Sequence, residues 1–111
     1  MLPHETARRA SPLHLEIDLW LDPALFWFRG HFTSHPLLPG VAQLEWVMRY
    51  ALAELAPGYR FRRIQVVKFQ APLLPDEQVT LHLDWDPQRE LLSFRYQQQR
   101  TASSGKIVLC R

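Results

Sequence analysis

A glutamate set among leucines on a helix is the first feature of this sequence that suggests chemistry. From Gly40 to Leu55, Val41, Leu44, Met48, Leu52 and Leu55 recur at helical spacing and make one apolar stripe. At about 100° per residue, Glu45 lies about 40° from Val41 and close to Met48 and Leu52, inside that stripe. A carboxylate there carries a desolvation penalty unless something compensates. Two outcomes are open. The side chain snorkels outward or pairs with Arg49, four residues on, or it is held in an apolar site as an acid. Just ahead of the helix stands His31, a residue type suited to proton abstraction near neutral pH. His31 and His35 have the spacing of a helical metal site, but Pro36 and Pro39 forbid a helix there, so no metal is expected on them. His4, His14 and His82 read as solvated positions on polar segments. The single cysteine, Cys110, excludes an internal disulfide and a cysteine-based zinc site. No phosphate loop or nucleophile elbow is present.

The elements around these residues are legible from pattern. Residues 1–12 are polar and carry Pro3, Pro12 and Arg8-Arg9, which reads as a flexible arm before a single domain at 13–111. Leu13, Leu15, Ile17 and Leu19 alternate with charged residues, the period of a half-buried strand. Asp22-Pro23 suits a short helical turn. The prolines and glycine of Pro36, Pro39 and Gly40 impose an irregular, restricted loop. The helix follows, running from Pro39 or Gly40 to Leu55 and ended by Pro57-Gly58. Trp46 lies opposite its stripe, as a residue for a strand or dimer contact. Four strand-like runs come next: Arg63 to Phe69, Val79 to Trp85, Leu92 to Tyr96, and Lys106 to Cys110. Pro72 and Pro75 indicate a kinked crossing, and Asp86-Pro87 a hairpin turn. This is an α+β layout in which an antiparallel sheet curls round one long central helix. One sheet leaves an edge and a face unaccounted for, so a dimer is the expected completion.

Composition excludes several classes. At 111 residues, 47% hydrophobic and 22% charged, the chain is an ordinary globular domain. Four Trp, three Tyr and six Phe suit wide apolar walls. A net charge of +2 is too weak to argue for nucleic acid. The opening residues lack the run of about seven apolar residues of a secretory signal. No stretch approaches the roughly eighteen apolar residues of a membrane span. A cytoplasmic protein is the expectation. Arg60, Arg62, Arg63 and Lys68 form a basic cluster that reads as a solvated strand face.

The loop into the helix carries a resemblance. Gly30-His31-Phe32-Thr33-Ser34-His35-Pro36-Leu37-Leu38-Pro39-Gly40-Val41 resembles the signature of the 3-hydroxyacyl–acyl carrier protein dehydratases. That signature is Gly-His-Phe-Pro-Gly-x-Pro, two apolar residues, then Pro-Gly-Val. In that family the histidine and an acidic residue fourteen positions later are catalytic; here those positions are His31 and Glu45. Leu13 to Trp20, Phe28-Arg29-Gly30, Lys68-Phe69 with Pro72 to Pro75, and Ser104 to Ile107 extend the likeness over nearly the whole chain. Gln43-Leu44-Glu45-Trp46 is similar to the small dehydratases of aryl polyene and related lipid clusters, which often carry Asp at the acid position. Thr33-Ser34 departs from the family's Pro-Gly.

The resemblance implies a hot-dog fold, a dimer, and a lyase removing water from a 3-hydroxyacyl group on acyl carrier protein to give the trans-2-enoyl thioester. No metal or organic cofactor is implied. His31 would take a proton from C2, and Glu45 would donate to the departing hydroxyl. Gly40, Leu37, Val41 and Phe32 would lie against substrate or hold the pair. Of these, Gly40 offers a backbone N–H at the helix start, and the Leu37 carbonyl sets the tautomer of His31. The two catalytic groups of one site would come from different subunits. The partners implied are the carrier with its phosphopantetheine arm and a second subunit, identical or not, but neither nucleic acid nor membrane. The basic cluster would then dock the acidic carrier. Two other functions stay open on the same fold: an acyl thioesterase, and a non-catalytic acyl-binding subunit.

Overall fold

A computed structural model describes residues 2–29 and 36–111. Six strands and one helix follow in the order β1 (His4–Ser11), β2 (His14–Trp20), a short 3-10 turn (Phe26–Phe28), α1 (Gly40–Glu54), β3 (Arg60–Phe69), β4 (Gln78–Asp86), β5 (Leu91–Gln97) and β6 (Thr101–Cys110). The strands form one sheet in the order β1-β2-β4-β5-β6-β3, and every neighbouring pair is antiparallel. This is the α+β, hot-dog arrangement that the sequence and its resemblance lead one to expect.

Alternation decides the faces. Leu15, Ile17 and Leu19 of β2 stand opposite Leu83, Leu81 and Val79 of β4, and all six are buried. Leu92, Phe94 and Tyr96 of β5 continue that wall, with Ile107 and Leu109 of β6 beyond them. The helix lies on this face. Its alternate residues turn the other side of the sheet polar: His14, Glu16 and Asp18 on β2, and Thr80, His82 and Asp84 on β4. There the Asp84 carboxylate accepts from the ring of His14 and raises its pKa, whereas burial lowers that of His82.

Two expectations are corrected. Residues 4–11 are no loose arm but strand β1, paired with β2 from His4↔Trp20 to Ser11↔His14, with a bulge between Glu5 and Ala7. All eight of its side chains are exposed, so the hydrophobic alternation that marks a strand is missing. Backbone pairing holds it, with surface ion pairs from Arg9 to Glu16 (2.8 Å) and Asp18 (2.9 Å) and from Arg8 to Glu54 (2.8 Å). The second correction concerns α1. Its buried residues are Ala42, Gln43, Trp46, Val47, Tyr50 and Ala51, and Trp46 is fully enclosed in the core. Of the expected stripe of Val41, Leu44, Met48, Leu52 and Leu55, Leu55 is buried, Leu44, Met48 and Leu52 are half-buried at the margin of the core, and Val41 is 65% exposed on the partly open flank. Both sides of the helix are apolar, and the sheet closes on only one of them.

Candidate active site

Pro39 is the N-cap of α1 and supplies no side-chain cap, so the N–H groups of the first turn depend on backbone partners. The carbonyl of Pro39 accepts from the N–H groups of Ala42 (3.1 Å) and Gln43 (3.2 Å). Gly40 opens the helix where the Phe69 ring crosses it. A Cβ at this position would come 2.6 Å from Phe69 Cζ, so the close approach requires glycine unless the ring moves. Between the loop before the helix and the Phe69–Pro72 segment lies a groove of about 280 Å³, lined by Leu37, Gly40 and Gln43 among others. An acyl thioester placed there would lie against the positive end of the helix dipole.

A buried polar network holds this corner in place. Gln43 is 3% exposed; its Nε2 donates to the Leu38 carbonyl (3.1 Å) and its Oε1 accepts from the Ser103 hydroxyl (2.6 Å). The Tyr96 hydroxyl donates to the Gln43 carbonyl at 2.6 Å, and burial holds that phenol well above its usual pKa, so it stays a donor. The Leu38 N–H donates to the Leu73 carbonyl at 2.8 Å. The loop, the start of α1, and strands β5 and β6 are thus locked together through Gln43, by its side-chain amide and its backbone carbonyl. Sequence reasoning missed Gln43 and Ser103. Their only signal was a polar residue on the side of the helix that turned out to face the sheet.

Removing the amide tests this. Gln43→Leu would leave the Ser103 hydroxyl and the Leu38 carbonyl without their partner in a closed site, at about 1–3 kcal/mol for each orphaned group. One kcal/mol moves the Tm of a domain this size by about 4–8 °C, so thermal unfolding is expected to fall by about 10 °C or more. A shift of less than about 2 °C would mean that the network contributes nothing to stability.

Glu45 sits on the open flank of α1. Its side chain is 41% exposed and lies 4.0 Å from Arg49 Nη2, one helical turn on. The isolated chain therefore gives Glu45 the outward, Arg49-facing placement and leaves it without an apolar enclosure. Val41 shares its flank, Leu37 is 48% exposed and Gly40 is half-buried beside the groove. His31 and Phe32 lie outside the described residues, as do Gly30, Thr33, Ser34 and His35. The structure thus brings Leu37, Gly40 and the Phe69 ring to one groove and puts Val41 and Glu45 on the adjoining flank.

Comparison with known proteins agrees with this architecture. The dehydratase heterocomplex ApeI:P from Xenorhabdus doucetiae superposes with a TM-score of 0.96 at 53% identity, covering 100% of both chains. An uncharacterized protein from Erwinia carotovora subsp. atroseptica gives a TM-score of 0.90 at 48% identity, over 99% of this chain and 97% of its own. The 3-hydroxyacyl-[acyl-carrier-protein] dehydratase FabZ of Blochmanniella floridana is 32% identical over 72 residues, 57% of this chain and 48% of its own. The chain thus spans about half the length of that curated relative. The family model for the ApeI-like group, described as ApeI dehydratase, matches residues 6–106, a span that holds the helix, the groove and both His31 and Glu45. A match that runs through every element positioning this corner settles the relationship: the chain belongs to the ApeI-like dehydratase family.

Proposed function

We propose that this chain removes water from 3-hydroxyacyl thioesters on acyl carrier protein, in fatty-acid or polyene-type lipid synthesis, with His31 as base and Glu45 as acid. The observation that carries the reading is the family match over residues 6–106 with the His31–Glu45 spacing intact inside it. His31 takes the C2 proton, the electron pair forms the C2–C3 double bond, and the C3–O bond breaks. Glu45 gives its proton to the departing oxygen, which leaves as water. Negative charge passes through the thioester oxygen on the way, and the N–H of Gly40 at the helix start is the matching donor for it. Leu37 holds the histidine through its carbonyl, and Val41 and Phe32 line the acyl group. The reaction as proposed requires no cofactor, and a carrier-bound substrate supports a cytoplasmic location. No helix among the described residues is long and apolar enough to cross a membrane.

A second subunit belongs to this proposal. β3 is an edge of the sheet, and Phe61, Ile64, Val66 and Phe69 on it are exposed. An open apolar edge of this kind pairs with another strand. Joining two chains there would also cover the open flank of α1 and give Glu45 the enclosure that a proton donor needs. The partner is a second copy or a different subunit; the relative from Xenorhabdus doucetiae is a heterocomplex, which supports the latter. A monomer by light scattering at micromolar concentration would contradict the pairing.

The basic cluster lies on the same strand, with Arg60, Arg62, Arg63 and Lys68 all exposed. We assign it to carrier docking. Arg62→Glu with Arg63→Glu is expected to weaken turnover of carrier-bound substrate by about tenfold or more, as charge reversal at a steered interface does, and to spare a small thioester analogue. Equal loss on both substrates would remove the docking role.

The reaction runs in both directions, which supplies a test. With a trans-2-enoyl thioester in heavy-oxygen water, the label is expected in a new C3 hydroxyl. Label in a free carboxylate instead would identify a thioesterase, and no incorporation would leave the non-catalytic subunit.

A further inference from the structure

On the outer face of the sheet, away from α1, register builds a second cluster of chemically active side chains. His14 and Glu16 are two apart on β2 and so share a face. The pairing sets Asp84 opposite His14 and His82 opposite Glu16. Four side chains from two strands thereby meet at adjacent rungs. Glu16 Oε1 lies 3.2 Å from His14 Nε2 and 3.4 Å from His82 Nδ1, and the three ligand atoms are all within 4.8 Å of one another.

We propose that His14, Glu16 and His82 form a binding site for a borderline divalent transition metal of the zinc type. Nitrogen and carboxylate ligands at about 2.0–2.1 Å in a tetrahedron stand about 3.4 Å from one another. Two of the three separations are close to that value, and the third, between the two ring nitrogens, is within 4.8 Å and closes by side-chain rotation. The surroundings are arranged as such a site requires. Asp84 Oδ1 lies 2.6 Å from His14 Nδ1, so the ring donates there from Nδ1 and leaves Nε2, which faces Glu16, as the nitrogen for the metal. Arg9 donates to Glu16 Oε2 at 2.8 Å, which fixes the carboxylate and leaves Oε1 directed at the two histidines. Three carboxylates, those of Glu16, Asp84 and nearby Asp18, stand beside the two imidazoles, with the guanidiniums of Arg9 and of Arg95, the residue opposite His82 on β5, at their margin. His82 and Asp84 border a groove of about 570 Å³ that Lys68, Arg95 and Lys106 also line. Two imidazoles and one carboxylate select zinc-like ions over magnesium or calcium, and three protein ligands leave one position for water. The site lies on the face opposite the helix that bears Glu45, so the metal would staple β2 to β4 and take no part in the dehydration.

The test is calorimetric titration of the intact protein, freed of metal, with zinc chloride. One ion per chain is expected, with affinity reduced at least tenfold in His82→Ala and in His14→Ala, and unchanged in His4→Ala. Asp84→Asn is expected to weaken it by about tenfold, the usual effect of removing a carboxylate behind a ligating histidine. Cobalt in place of zinc should give the intense visible absorption of a four-coordinate site. All four side chains sit at the sheet surface, so the variants should keep the circular dichroism of the parent. Zinc uptake below one per chain, or an affinity that neither histidine variant changes, would overturn the proposal.

Discussion

Glu45→Gln is expected to lower turnover of a 3-hydroxyacyl carrier substrate by about 10²–10⁴, the usual effect of losing a positioned acid or base. Glutamine keeps the shape and part of the hydrogen bonding but has no acidic proton to give to the departing hydroxyl. The fold should be indifferent to the change. Glu45 is 41% exposed and its ion pair to Arg49 is 4.0 Å long on an open flank, and surface substitutions of this kind usually move stability by about 0.5 kcal/mol or less. Unchanged Tm together with lost turnover separates a chemical role from a structural one. His31→Ala should be similarly inactive, and the double variant little worse than either single one, because the two groups act as a unit. Full activity in Glu45→Gln would remove the mechanism.

The second large effect concerns how the site is shared. In a dimer carrying His31→Ala on one chain and Glu45→Gln on the other, one of the two sites would contain both variants and the other neither. That follows if each site takes its histidine and its acid from different subunits. Such a mixed dimer, isolated by two different affinity tags, should recover about half the parental activity, since one of two symmetry-related sites is restored. Each parent variant alone would remain inactive. An inactive mixed dimer would contradict the shared geometry while leaving the two catalytic roles in place. The exposed apolar β3 edge and the open flank of α1 motivate the prediction, because they leave Glu45 without a closed environment in a single chain.

Most of the architecture was legible in the sequence because alternation and helical spacing are the patterns that burial imposes. The helix, strands β2 to β6 and the α+β layout all follow from them. β1 was not legible, since HETARRAS buries no side chain and is held by backbone pairing and surface ions. The helix misled in a different way. Its stripe of Val41, Leu44, Met48, Leu52 and Leu55 is real, but the sheet closes over Ala42, Trp46, Val47 and Tyr50, and of the stripe only Leu55 is buried with them. A helix apolar on two sides does not say which side its own chain covers, and the remaining side is the one a partner would take. Gln43 and Ser103 escaped notice because a buried hydrogen bond between residues sixty positions apart has no local signature. The cluster of His14, Glu16 and His82 escaped for the same reason, since strand register alone assembles it and each histidine by itself reads as solvated. The role given to His31 rests on the motif, because residues 30–35 lie outside the described ones.

The central claim is that this chain eliminates water from a carrier-bound 3-hydroxyacyl group. Incubation with 3-hydroxyacyl carrier proteins of several chain lengths, followed by mass spectrometry of the intact carrier, tests it directly. The account predicts that the carrier loses the mass of one water and keeps its acyl group. Loss of the whole acyl group, or no change of mass at any chain length, would contradict it.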